Sequence, residues 1–476
     1  MVFADLFFIY FFMPLCILLY FIARSIKARN IVLLAFSIVF YAWGEPVWEI
    51  LLLAYSLLNF MTGLTIGMTK RKSTKKAALL MALIVDIGVL GVFKYSGFIV
   101  ENINALLNIS IPLPNIRLPI GISFYTFQTL SYSIDCYWGK VKVQKSFPKF
   151  LLYVSMFPQL VAGPIVRYST IAQEIDSRRT TLKDISDGFT RIIMGIGKKV
   201  IIANSLNNVV TGCFGTAEKG FAGVSSVSVL GAWAGGAMVA VWYYFDFSGY
   251  SDLAIGMGRI FGFHFDENFR YPFVCRSITE FWQRWHISLG SWFRDYVYIP
   301  LGGNRCSRLK HLRNISVVWL LTGLWHGASW NFVFWGALNG FFLILEKLFL
   351  LKWIKKVPPA VGIIYSKIVV GFGFGIFYFD EGGALVKYFK ALVGANGNSF
   401  SSGITRNLFL SNIFLILAAA VLSTPIIPWL RSKAEKEQGS WYLYRSAGIA
   451  MNIVILTVSS LLLLNSTNNP FLYFRF

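Results

Sequence analysis

Four histidines, His264, His286, His311 and His326, are the side chains of this 476-residue chain that change charge near neutral pH. His326 lies in Leu320-Leu321-Thr322-Gly323-Leu324-Trp325-His326-Gly327-Ala328-Ser329-Trp330-Asn331, a stretch with no charge between Arg313 and Glu346. An ionisable group is costly in so apolar a run, so its presence points to a site. Read as one helix, the spacing puts Thr322, Ser329 and Trp330 on the histidine's face. The competing reading is a neutral imidazole satisfied by a nearby carbonyl. His286 lies in Ile278-Thr279-Glu280-Phe281-Trp282-Gln283-Arg284-Trp285-His286-Ile287-Ser288-Leu289-Gly290, which reads as an amphipathic helix. Ser277 and Glu280 open it in a capping-box pattern. Its competing reading is an interfacial histidine hydrogen-bonded to a loop. His311, at the end of the basic run from Arg305, reads as solvated, and His264, in Phe261-Gly262-Phe263-His264-Phe265-Asp266, as an interfacial side chain.

Other chemistries lack their residues. There is no HExxH, carboxylate cluster, GxSxG elbow or P-loop, so no metal site is expected. Cys16, Cys136, Cys213, Cys275 and Cys306 are odd in number and hold no CxxC pair, which suggests neither a disulfide framework nor zinc. What remains is a histidine base that takes a proton from an acceptor hydroxyl while an activated acyl carbon is attacked. Two further polar groups, Tyr243 to Asp252 and Pro119 to Gln128, sit in apolar surroundings. Their Asp246, Ser248, Asp252 and Gln128 are assigned a structural role, as hydrogen-bonding groups between helices.

These residues must be positioned inside a bilayer. The chain is 56% hydrophobic, 17% aromatic and 14% charged, with a mean hydropathy of +0.60. Soluble domains carry roughly a quarter charged residues, so the composition is that of an integral membrane protein. The formal charge of +22 is read as the basic excess of cytoplasmic loops rather than as nucleic-acid binding. Residues 5–23, 47–68, 77–95, 223–245, 359–380, 408–430 and 447–465 are long enough to span. Segments 30–43, 118–138, 150–166, 249–263 and 314–350 are apolar but interrupted. The first run is too long for a signal-peptide core and reads as a retained helix. An all-α, polytopic protein of about a dozen helices follows.

Arg24, Lys27 and Arg29, then Lys70 to Lys76, then Lys140 to Lys149 mark cytoplasmic loops, which places the N-terminus outside. Residues 186–212 read as an amphipathic helix in an arginine-rich middle third, 160–315. No repeat or linker is evident, so one domain is expected over 1–476. Its core is 119–350 and its flanking helices are 1–118 and 359–476.

Trp285-His286-Ile287-Ser288-Leu289, the run from Trp292-Phe293-Arg294-Asp295-Tyr296 to Pro300-Leu301-Gly302-Gly303-Asn304-Arg305, and Leu324-Trp325-His326-Gly327-Ala328-Ser329-Trp330-Asn331 resemble the membrane-bound O-acyltransferase family. The bacterial alginate O-acetyltransferase type is the most similar branch. Pro119 to Phe124, Gln159 to Ile165, Asp246 to Asp252 and the terminal Tyr473-Phe474-Arg475-Phe476 support the match.

The resemblance implies helices ringed around a thinned centre with a tunnel between the membrane faces. It makes His326 the catalytic histidine and His286 the upstream site position. It also implies acetyl-CoA as acyl donor, a cell-envelope or secreted polysaccharide as acceptor, an extracytoplasmic SGNH-type partner, and the bacterial inner membrane. Arg284, Arg294 and Arg305 are then candidates for the CoA phosphates, with lipid-headgroup anchoring as the competing role. Trp282, Trp285, Trp325 and Trp330, with Asp295, Ser329 and Asn331, are candidates to line the donor's path. A covalent intermediate would need Ser288, Ser329 or Cys306, none of which the sequence singles out. Alternatives are D-alanyl transfer to teichoic acid from a carrier-protein thioester, and a transporter using the histidines as a proton relay.

Overall fold

The computed structural model describes residues 2–436 and 438–464. Among these, every regular element is a helix. Six are long and apolar enough to cross a membrane: Ile26–Gly44, Glu49–Met68, Lys72–Leu107, Trp330–Ile354, Pro359–Tyr378 and Gly439–Leu464. Gly403–Ser411 and Ile413–Leu422 form a further apolar pair bent by 59°. The expected spans at 47–68, 77–95, 359–380 and 447–465 are therefore recovered, and two segments read as interrupted, 30–43 and the end of 314–350, are full-length helices. Residues 5–23 form only the shorter Phe8–Ile22 helix, closed where Ala23 turns extended and Ser25 caps the next helix by accepting from the Ala28 N–H. The helices outnumber the dozen expected because Pro and Gly break the chain into short pieces such as Phe147–Ser155 and Phe157–Leu160. The terminal Tyr473 to Phe476 motif lies outside the described residues.

The segment expected to span at 223–245 and stop at its acids instead forms one helix, Val229–Ile260. It runs through Asp246 and Asp252 because each finds a cation: Lys199 lies 2.6 Å from Asp246, and Arg191 lies 3.0 Å from Asp252. The Lys199–Asp246 pair is buried on both sides. Ser248, on the same helix, is buried as well. The amphipathic reading of 186–212 corresponds to Leu182–Gly197, a π-helical turn at Lys198–Ala203, and Asn204–Phe214.

Packing divides the described residues into two compact units, one of residues up to Ile192 with Tyr250–Glu267, the other of Ile193–Gly249 with residues 268–464. In the first, Glu49–Met68, Lys72–Leu107 and Ile122–Tyr137 meet around Asp86. Its carboxylate accepts from Asn59 Nδ2 at 2.8 Å and Thr129 Oγ1 at 2.9 Å, and Ser133 donates to Asn59 at 3.0 Å. Such bonds are interhelical glue in apolar surroundings. Gln128 is fully buried there, but its side-chain amide makes no hydrogen bond between helices. His264 is mostly exposed and pairs with Glu174 at 2.6 Å.

In the second unit, Arg308–His326 and Trp330–Leu345 form a tight antiparallel hairpin. Gly323 and Gly336 permit it. A Cβ at Gly336 would collide with the Trp319 carbonyl and lie 3.2 Å from the Gly323 Cα. Small residues let membrane helices approach backbone to backbone. Between the helices the chain turns at Gly327, whose space is filled by the Phe332 ring. Ser329 and Trp330 thus begin a new helix and do not share a face with His326, contrary to the single-helix reading. Gly336→Val should destabilise the protein by about 1–3 kcal/mol or more through overpacking, seen as a lowered Tm in detergent. Gly91→Ala, where a Cβ meets nothing within 4 Å, should leave Tm unchanged or raise it.

Candidate functional site

One face of the Arg308–His326 helix carries His311, Ile315, Val318, Trp319, Thr322 and His326, at helical spacing. All six line a cavity of about 380 Å³ whose opposite wall comes from residues 279–298. At 1.5 Å per residue the helix separates His311 from His326 by roughly 22 Å, so the cavity is elongated, with the histidines towards its ends. His286, Trp282, Trp285, Arg294, Tyr298 and Lys347 also line it. The structure brings His286 and His326 to one cavity although 40 positions separate them.

His326 ends its helix and is buried. Trp325, Trp335 and Phe377 enclose its imidazole edge-on, with ring centroids 5.0, 5.1 and 5.1 Å away. Asn331 donates to the Phe377 carbonyl at 3.1 Å and so holds part of that cage. Trp325 also meets the His286 ring at 5.9 Å, so its indole touches both imidazoles.

His286 is not inside a continuous helix. The amphipathic segment breaks into Ile278–Trp282 and Ile287–Phe293, with His286 between them at φ +45°. A non-glycine residue in that region is strained and is held only by its surroundings. Asn268 supplies the hold. Its carbonyl accepts from the Ile287 N–H at 3.0 Å, and its side-chain oxygen lies 3.1 Å from His286 Nδ1. Burial pushes the imidazole pKa down to about 3, so the ring is neutral.

Two groups absent from the sequence expectations, Glu346 and Asn339, help to fix the tryptophan wall. The buried Glu346 carboxylate accepts from the Ile278 and Thr279 N–H groups at 2.6 and 2.8 Å, from the Thr279 hydroxyl at 2.6 Å and from Tyr365 at 3.2 Å. Ser277 accepts from the Glu280 N–H at 3.0 Å, as the capping pattern anticipates. Trp282 donates to Asn339 at 3.0 Å. An acid within an apolar span was the available signal for Glu346. His311, expected in solvent, instead borders the cavity, because the basic run continues directly into a helix.

Several donor-path candidates do not line the cavity. Arg284 is tied to Glu280 at 2.6 Å and Arg305 is exposed. Neither they nor Asp295, Trp325, Ser329, Trp330 and Asn331 are among the lining residues. Asp295 pairs with the lining Arg294 at 2.7 Å, Ser329 donates to the Asp380 carbonyl at 3.2 Å, and Trp330 is exposed. Ser288 and Cys306 donate to Asn268 and to the Gly303 carbonyl.

Residues 140–379, which contain the whole cavity, match the membrane-bound O-acyltransferase family. The chain belongs to that family. It is therefore an O-acyltransferase and a multi-pass membrane protein, and the transport reading falls away. A protein of Azotobacter vinelandii named as a probable alginate O-acetylase is 40% identical over 79% of this chain and 75% of its own length. The peptidoglycan O-acetyltransferase of Helicobacter pylori is 29% identical over 98% of this chain and 96% of its own. The teichoic acid D-alanyltransferase of Bacillus subtilis is 27% identical over 56% and 70%.

Glu346→Ala strips the acceptor from four donors. Each orphaned buried donor costs about 1–3 kcal/mol. The variant should show a Tm well below wild type and a changed Trp fluorescence from the displaced Trp282 and Trp285, whereas Glu101→Ala, on an exposed site, should show neither.

Proposed function

We propose that this O-acyltransferase transfers an acetyl group from acetyl-CoA towards hydroxyls of a cell-envelope or secreted polysaccharide, with His326 as general base. The observation that carries the reading is the shared cavity: two imidazoles in an apolar, aromatic enclosure whose lining also includes Arg294, His311 and Lys347. The apolar length suits an extended thioester-bearing arm, and the cationic groups suit its phosphates. The acceptor oxygen attacks the thioester carbonyl, His326 takes the hydroxyl proton, the C–S bond breaks, and the departing thiolate recovers a proton. His286 orients the acceptor or assists the transfer.

The similarity to an alginate O-acetylase and a peptidoglycan O-acetyltransferase supports the polysaccharide acceptor. On this reading the chain sits in a bacterial inner membrane with its N-terminus outside, takes its donor from the cytoplasm, and hands acyl groups to an extracytoplasmic SGNH-type partner. The second reading, D-alanyl transfer from a carrier-protein thioester, is favoured by the match to a teichoic acid D-alanyltransferase. The phosphopantetheine arm common to both donors would occupy the same cavity.

The test is release of CoA from acetyl-CoA by the protein in lipid nanodiscs with a polysaccharide acceptor. His326→Ala should lower kcat by about 10²–10⁴-fold while donor binding persists. Neither release nor binding in wild type, with turnover of an aminoacylated carrier protein, would replace acetyl-CoA by the second donor.

A further inference from the structure

The bonds around His286 determine which of its nitrogens carries the proton. The Asn268 side-chain oxygen accepts from the Ser288 backbone N–H at 3.2 Å. A backbone N–H can only donate, so the amide orientation of Asn268 is fixed with its oxygen at this point. The same oxygen accepts from the Ser288 hydroxyl at 2.9 Å and stands 3.1 Å from His286 Nδ1. Two facing lone pairs at that distance would repel, whereas an Nδ1–H completes a third bond to the acceptor. The Ser288 hydroxyl is 3.4 Å from Nδ1, longer than its bond to Asn268, and so does not supply a competing proton.

We infer that Asn268 is a positioning residue that locks His286 in the Nδ1–H tautomer, leaving Nε2 as a proton acceptor. Two backbone bonds brace the lock. Asn268 accepts from Ile287 N–H at 3.0 Å and Arg270 N–H donates to the Arg284 carbonyl at 2.9 Å, so the segment 268–270 runs beside 284–287 and sustains the strained His286 backbone. Phe247 packs edge-on against the ring at 4.7 Å and limits its rotation. An orienting partner on the far nitrogen is how histidines are commonly held in one working tautomer.

The consequence, which rests on the acyl-transfer reading, is a division of labour. In that tautomer the ring's lone pair is on Nε2, the nitrogen able to accept a hydrogen bond from an acceptor hydroxyl. Since its Nδ1 already bears a proton, it cannot take one from Ser288 there, and the Ser288 hydroxyl, donated to Asn268, is not an activated nucleophile. A covalent seryl intermediate at position 288 is thereby disfavoured.

Asn268, Ser288, Phe247 and Trp325, which lie against the ring, are uncharged, and the titratable groups lining the same cavity are Arg294, Tyr298, His311, His326 and Lys347. An aspartate at 268 would keep the acceptor oxygen while adding a negative charge that favours the imidazolium. The experiment is ¹⁵N NMR of histidine-labelled protein in nanodiscs, with the His286 signals assigned through His286→Gln, beside kinetics of Asn268→Leu and Asn268→Asp. Wild type should show a protonated Nδ1 and an unprotonated Nε2 at neutral pH.

Asn268→Leu should lose that pattern and lower kcat by about 10–100-fold, with donor KM unchanged. Asn268→Asp should keep the Nδ1–H and recover most of kcat, with the acid limb of its rate profile moved to higher pH because the raised pKa leaves less free base. A protonated Nε2 in wild type, or wild-type kcat in Asn268→Leu, would overturn the lock. The wild-type spectrum decides even if Asn268→Leu does not fold. It is independent of turnover, so a chain with another substrate can still carry the lock.

Discussion

The close approach of two helix backbones at Gly323 and Gly336 is the constraint on which the site depends. With a side chain at either position the Arg308–His326 and Trp330–Leu345 helices could not close to their present separation. The hairpin turn at Gly327 would then not bring Trp335 against His326. Packing density is the driving force available in hydrocarbon, where the hydrophobic effect no longer distinguishes helix from lipid. The aromatic cage around His326 follows from that closure, and so does the lined face from His311 to His326.

Once the hairpin is closed, buried charge fixes what packs against it. Glu346 lies on the Trp330–Ile354 span and gathers the N-terminal donors of the Ile278–Trp282 helix, a place where helix dipole and free N–H groups favour an anion. Lys199 and Asp246 satisfy each other in the same unit. Breaking such a buried pair by removing one partner costs about 3–5 kcal/mol, so polar side chains inside apolar helices here also serve architecture. The residues proposed to do chemistry are those facing the cavity.

Much of this was legible locally. The apolar runs marked most spans, the isolated histidine in an uncharged stretch marked a residue that borders the cavity, and Ser277 with Glu280 marked a helix start. What was not legible arises from contacts distant in sequence. Nothing near His286 announces that its helix breaks there, because the strain is sustained by Asn268, 18 residues earlier. His311 looked solvated because its neighbours are basic, yet helical phase carries it to the cavity. Arg284 looked available to a donor until Glu280, one turn away, proved to hold it. The helix through Asp246 and Asp252 is hidden from local sequence for the same reason, since their cationic partners lie 47 and 61 residues away.

The central claim is that acyl transfer takes place in the cavity shared by His286 and His326. A cryo-EM structure of the protein in nanodiscs with a ketone analogue of acetyl-CoA, in which a methylene replaces the thioester sulfur, tests it directly. Density is expected along the Ile315–Thr322 face, with the carbonyl beside the two imidazoles and the phosphates towards Arg294, His311 and Lys347. Analogue bound elsewhere, with the cavity closed to it, would contradict the account.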